Sequence, residues 1–400
     1  MKSRFIKASV VFGVFSCFAT LAAPAMRAQK TAPKAPVYWV DPFWPKPLPN
    51  KWSMQEIVDI HIDKDGHIWA LNRPDDARPD ELGAATNPPR TECCVLGPEV
   101  LEFDADGNLL KAWGKKDYIQ GWPKRLQTIG VDRDLNVYVS GTAPGDSIIK
   151  LSQDGKFLWD FGHRGPVVPA SQVKQDNQQT EIFPPGIGAF DFDEDAREIY
   201  IADGFLNKRV LVYDMETGAF KRGWGGHGTP LSEIDNGPTA PYDVSGLPPD
   251  QKQFAPIVHC VHPSRDGFVY VCERGSDRIQ VFTKQGQFVK EFWVHPSTQA
   301  RGPHCGGPFS MADPPCGTVS DVGLDSQGKY IFVSDTTNNI VWILDRQDGN
   351  VLGSFGGNGR YAGQLHWVDP IAVDSKGNVY TGEVEDGKRI QKFVPVKGGR

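Results

Sequence analysis

AFDFD (189–193), EIYIADG (198–204), KRVLVYD (208–214) and GAFKRGWGG (218–226) follow one another across thirty-eight residues of this 400-residue chain, and their reading decides the fold. Each is a short run of alternating character closed by Asp, Gly or Asn, the residues that make tight turns. Alternation sets Val210 and Val212 against Leu211 and Tyr213, so this strand is apolar on both faces and must be covered on both. Four such strands in sequence make one antiparallel sheet that packs face to face with others like it.

The same unit recurs along the chain. The first strand ends at Asp63, Asp132, Asp193, Pro263, Asp325 and Asp374, and a polar second-strand position follows near Arg73, Gly141, Asp203, Glu273, Asp335 and Glu383. Third strands read EVLEFD (99–104), SIIKLS (147–152), RVLVYD (209–214), RIQVF (278–282), IVWILD (340–345) and RIQKF (389–393). Spacings of 69, 61, 70, 62 and 49 residues between the first-strand ends describe a unit of about 45–50 residues that carries insertions, the sequence signature of a propeller. An all-β, six-bladed β-propeller is therefore predicted. Trp113, Trp159, Trp224, Phe292 and Phe355 stand at like places in the fourth strands and are expected to fill the wedges between blades. The sixth unit stops after its third strand, while Val37–Asp41 has no unit of its own. This segment is predicted to supply the missing outer strand, because closure removes an edge open to foreign pairing. Pro42 to Pro49, unable to pair as a central strand, then leads the chain to the tunnel.

Ahead of the ring, Lys2, Arg4 and Lys7 precede an apolar run from Ala8 to Ala25 with the small-residue site Ala23-Pro24-Ala25, the pattern of a signal peptide. The organisation expected is a signal peptide at 1–25, a disordered linker at 26–36, the propeller at 37–394 and a tail at 395–400, in a periplasmic or secreted protein. No later segment approaches 18 apolar residues, so no membrane span is expected after cleavage. The full chain carries a net charge of −6; loss of residues 1–25 removes three of its 43 basic residues and none of its 49 acidic ones, leaving about −9. That balance argues against a nucleic-acid partner.

Six cysteines remain after residue 25, and export makes their pairing plausible. Cys305 and Cys316 bracket a Gly/Pro-rich insertion and are expected to staple it. Cys260 and Cys272 face each other across the Ser264–Gly267 turn and can either pair or serve as small buried residues. Adjacent Cys93 and Cys94 either bond to each other, forming a rigid apolar lip at the tunnel mouth, or pair separately with Cys305 or Cys316. His163, His227, His295 and His304 lie in loops without metal-like spacing. His259, His262 and His366 lie near the inner ends of blades 4 and 6, and alternation separates His259 from His262 unless the strand bulges. Glu56, Asp59, Asp321 and Asp369 stand near the inner strand starts. GNGRYAG (357–363) lies between strands of a propeller and lacks the strand–turn–helix setting of a phosphate cradle.

The repeat resembles the NHL pattern over all six blades. Within that class IVDIHIDKDGHIWALNRP (57–74), YIADGFLNKRVLVYD (200–214), VCERGSDRIQVF (271–282) and VSDTTNNIVWIL (333–344) look most like the peptidyl-hydroxyglycine amidating lyases and their bacterial relatives. The resemblance implies a tunnel zinc held by three histidines, with an Arg and a Tyr beside it. Arg73 matches the Arg, but Phe205 stands at the Tyr position. The first zinc ligand falls near Leu126 or Gln127 and the third near Val319 or Ser320, leaving His259 alone, with Val258 as the strict equivalent. Zinc needs at least three protein ligands, so none is expected there. Similarity to gluconolactonase-type propellers leaves calcium possible, with His259, Asp59, Asp321 and Asp369 as weak metal candidates.

Two functions follow. One is a binding propeller that grips a small organic anion, a peptide or a protein at its tunnel mouth, with Arg73, Cys93, Cys94, Phe205 and His366 at the ligand. The alternative is an amidating-lyase-like or hydrolase-type enzyme using Arg73, His259 and Asp369. The insertions 74–98, 163–184, 227–256 and 295–317 are taken to supply grip. Those at 74–98 and 295–317 are expected to meet over one mouth, where Arg73 faces an anion or a carboxylate such as Asp59 or Asp369.

Overall fold

A computed structural model describes residues 35–114, 119, 121–143, 145–183, 186–237, 252–255, 257–296, 298 and 317–396. The expectations for residues 1–34 and for Cys305 and Cys316 lie outside these. Six four-stranded antiparallel sheets stand as blades around a central channel. The innermost strands are Glu56–Ile62, Leu126–Val131, Ile187–Asp193, Val258–Pro263, Asp321–Leu324 and Val368–Val373, in blades 1 to 6. No helix among the described residues is long and apolar enough to cross a membrane.

Tyr38–Asp41 closes the ring as its sequence context predicts, pairing antiparallel with Ile390–Pro395 so that Tyr38 opposes Pro395 and Asp41 opposes Lys392. Tyr38 also donates to the Gly377 carbonyl at 3.0 Å and stacks on Phe355 of blade 5. The Pro-rich segment that follows seats Trp44 in the core against Phe103 and Tyr380.

The wedges between blades are apolar and aromatic. Trp113, Trp224 and Phe292 are buried there, and Trp159 and Phe355 pack half-buried at the corresponding places. The first four meet the third-to-fourth-strand turn of the next blade, while Phe355 packs on Tyr38 and Phe393 of blade 6: a Cβ at Gly155 would lie 2.8 Å from the Trp113 ring, and one at Gly349 2.1 Å from Phe292. Both glycines also hold a positive φ, so the turn and the close approach select the same residue.

The first strand of a blade ends in an anchor whose backbone N–H closes the following turn, as Asp63 does on His67 at 3.1 Å and Asp132 on Asn136 at 2.9 Å. In blade 4 that bond runs from Ser264 to Phe268 at 2.8 Å, so the anchor is Ser264 rather than Pro263. The frame shifts by one residue there, and His259, not Val258, becomes the counterpart of Gln127 and Asp369, each five residues before its anchor.

The insertions leave a second or a fourth strand, and the one whose residues are all described, 74–98, follows Ile68–Arg73 and so departs from the face where the inner strands begin; most of 295–317 and 238–251 lie outside the described residues. The opposite face is built from tight turns such as Asp63–His67 and Asp374–Asn378.

Candidate functional site

The channel is a cavity of about 840 Å³ that runs from the inner-strand starts to the tight turns of the opposite face. Its lining holds nine aspartates against two lysines and two arginines. A concave, low-dielectric wall of one sign focuses the potential along its axis.

Bulges decide which side chains reach it. The pairing of first and second strands slips between Leu126 and Thr128, between Val258 and Cys260, and between Val368 and Ile371. A bulge inserts an unpaired residue and re-aims it. Gln127, His259 and Asp369, on blades 2, 4 and 6, are buried side chains of the channel wall for this reason. The bulge also places His259 and His262 in one lining.

At the upper tier, His259 Nδ1 lies 3.0 Å from the Ser320 carbonyl, which only accepts, so Nδ1 carries the proton and Nε2 is a lone pair. Burial holds this imidazole below its usual pKa, hence neutral. Neither His259 Nε2 nor Asp369 Oδ1 has a partner among the described residues, and both are buried. Phe205 packs edge-on against His259, ring centroids 5.7 Å apart. Gln127 is turned the other way, its Oε1 accepting from Arg73 Nη2 at 3.2 Å.

The middle tier joins blades through carboxylates. Asp59 accepts from Thr128 Oγ1 and the Ile129 N–H of blade 2, each at 2.8 Å, and Asp321 accepts from the Ile371 N–H of blade 6 at 3.0 Å. Burial raises the Asp59 carboxyl to about 7 against the pull of the Ile129 donor, and Asp321 adds to the rise. His262 bridges blades 3 and 5, with Nδ1 3.0 Å from Asp191 Oδ2 and Nε2 2.9 Å from Asp321 Oδ1. Burial disfavours its charge, but the bonds to Asp191 and Asp321 outweigh that and raise the imidazole to about 10. His262 is thus an imidazolium at neutral pH, an internal cation held by two carboxylates.

Arg73 is placed otherwise than its role at the mouth requires. It stands outside the channel lining, buried, with Nη1 at 2.9 Å from both Glu56 Oε2 and Asp76 Oδ2 and Nε donating to the Leu126 carbonyl at 2.9 Å. Glu56 is its direct register partner across the first two strands. Its carboxylates are therefore Glu56 and Asp76 rather than Asp59 or Asp369. Burial pushes Glu56 up to about 7 even so. Cys93 and Cys94 are bonded to each other in the blade 1 insertion, and Cys260 is bonded to its cross-strand partner Cys272, Cα atoms 5.0 Å apart. Neither Cys93, Cys94, Phe205 nor His366 lines the channel. His366 lies in the connection between blades 5 and 6, its N–H donating to Glu383 at 3.2 Å. Of the residues singled out in the sequence, the channel unites Asp59, Gln127, His259, His262, Asp321 and Asp369; Asp191 joins them.

The set does not fit the three-histidine zinc centre of the amidating lyases. His259 and Asp369 offer two free donor atoms, and Gln127 and Ser320 stand where further ligands would be.

Six four-stranded blades closed by an amino-terminal strand define a six-bladed β-propeller. No family model matches the chain. It is similar to NHL repeat-containing protein 3 of Mus musculus, 24% identical over 312 residues that cover 74% of this chain and 73% of the relative. The protein of the same name in Homo sapiens is 24% identical over 310 residues, covering 75% and 73%. These likenesses and the ring together support an NHL-type propeller, a fold of the binding type.

Proposed function

We propose that this chain is an exported binding propeller whose channel receives a cationic group: the protonated amine of a small molecule or peptide, or a calcium ion. One observation carries the reading. The lone pair of His259 Nε2 and the Asp369 Oδ1 atom are buried, unpartnered among the described residues and set in a wall dominated by aspartates. Leaving such atoms unsatisfied costs about 1–3 kcal/mol each, and a cation or N–H donor answers both. The organic anion suggested by Arg73 is the weaker reading, since Glu56 and Asp76 already neutralise that guanidinium. The lyase-like or hydrolase-type alternative rests on His259 Nε2 as a general base; Phe205 offers no hydroxyl to work with it. Export rests on the reading of residues 1–25 and places the ring in the periplasm or outside the cell.

The test is calorimetric titration with calcium, a diamine and a dicarboxylate at low ionic strength. Binding of calcium or the diamine, weakened about tenfold or more by Asp369→Asn, is expected for a charge-assisted contact of roughly 1.5–3 kcal/mol. Binding of the dicarboxylate alone would count against the reading.

A further inference from the structure

Blade 1 departs from its sister blades at a second place, away from the His259–Asp369 pair. In blade 2 the anchor Asp132 meets Lys150 Nζ at 3.3 Å, and Lys150 lies over the Tyr138 ring, 5.1 Å from its centroid. In blade 6 Lys392 holds the same third-strand position over Tyr380, at 5.7 Å. Lys150 opposes Tyr138 in register, and Lys392 opposes Tyr380. The counterpart in blade 1 is Glu102, which opposes Trp69. Where blade 2 places a lysine ammonium beside the anchor, and blade 6 a lysine that donates to the Ala105 carbonyl at 2.7 Å, blade 1 places a second carboxylate.

The anchor here is Asp63, its side chain fully buried; Oδ1 accepts the N–H groups of Asp65 and His67, and Oδ2 accepts Trp69 Nε1 at 2.9 Å. Glu102 is also buried, its residue only 1% exposed. Its Oε1 lies 2.8 Å from His67 Nδ1 and 3.3 Å from Gln153 Nε2, while Oε2 is buried with no partner among the described residues. His67 Nδ1 is 3.7 Å from Asp63 Oδ2. One ligand atom from each of Asp63, His67 and Glu102 falls within 4.8 Å of the other two. Two carboxylates buried together are costly without a positive charge between them.

We propose that Asp63, His67 and Glu102 bind a divalent first-row transition-metal ion, zinc or manganese, in the place that the lysine ammonium takes in blade 2. One imidazole nitrogen and two carboxylates form a donor set suited to these ions. The half-exposed edge of His67 leaves room for water as a further ligand. A metal needs its imidazole nitrogen unprotonated and its carboxylates ionised, so uptake competes with protons for these three side chains. Because Asp63 to Gly66 line the lower end of the channel, the ion would fix the turn that shapes it.

The experiment titrates the chelator-treated protein with zinc and manganese chlorides at neutral pH, by calorimetry and by thermal shift. The variants are Glu102→Gln, Glu102→Lys and, to separate the channel pair, Asp369→Asn. Wild type and Asp369→Asn should bind at this site alike. Both Glu102 variants should lose it by about 100-fold or more, at least the loss that changes outside a metal's ligand shell can bring. Glu102→Lys copies blade 2, so it should fold with an unbound melting temperature at or above that of wild type and show no metal-dependent rise. No uptake by wild type, or uptake by the Glu102 variants equal to wild type, overturns the proposal. Metal binding lost with Asp369→Asn but kept in Glu102→Lys overturns it as well.

Discussion

Replacing His262 by Gln should make the ring less stable at pH 6 and nearly indifferent at pH 10. The imidazolium bonds both Asp191 and Asp321, at 3.0 and 2.9 Å, and its pKa stands at about 10 against 6.5 for a free histidine. A pKa raised on folding adds stability that is complete below 6.5 and is lost as the pH climbs toward 10. Moving an imidazole over that interval corresponds to roughly 4–5 kcal/mol, an upper bound for a coupled buried group. Removing one partner of a buried ion pair costs about 3–5 kcal/mol by a separate route, so the two agree. A ring of this size unfolds with an entropy near 0.75 kcal/mol per kelvin, and the loss becomes about 4–7 °C in melting temperature at pH 6. The assay is thermal unfolding of wild type and His262→Gln from pH 6 to 10, with the imidazole titrated by NMR. A deficit of the same size at both ends of the range, or a His262 pKa near 6.5, would falsify the reasoning.

Gly349→Ala should cost about 2–4 kcal/mol, because the new methyl meets the Phe292 ring and φ is positive; denaturant midpoints will measure it, and a neutral result would mean that the wedge yields. Arg73→Ala should destabilise by about 3–5 kcal/mol by stranding Glu56, Asp76 keeping Arg125 at 3.1 Å, and more at pH 8 than at pH 5, where Glu56 is protonated; ligand affinity lost at unchanged stability would instead restore Arg73 to the binding site. Deleting residues 35–41 should lower the melting temperature and cause self-association through the exposed edge of Ile390–Pro395, read by light scattering; a monomer as stable as the intact ring would contradict the closure.

The fold was legible because each blade announces itself locally. Anchor aspartates close turns, and alternating strands need two covers; both are properties of a dozen residues at a time. Blade 4 hid its frame because Pro263-Ser264 replaces the usual Asp, and one residue of error moved Val258 into the place of His259. Arg73 had readable partners, since Glu56 opposes it in register and Asp76 follows three residues on. The channel was harder to read. Its donors depend on bulges, which strict alternation cannot represent, and the His262 bridge exists only because blades 3, 4 and 5 converge. That Gln127, His259 and Asp369 recur five residues before their anchors, in otherwise apolar strands, was the available signal.

Ring closure by Tyr38–Asp41 also makes the assembly a test of completeness. The strand made early in synthesis finds its hydrogen-bonding partner only in Ile390–Pro395, with nearly all of the ring between them. Until that last partner emerges, the blade 6 sheet lacks its outer strand, and Tyr38 has only Phe355 and Gly377, which are made earlier, to dock on. A polypeptide interrupted anywhere in blade 6 therefore remains an open arc, with apolar edges for chaperones and proteases to recognise, and only the finished molecule can lock.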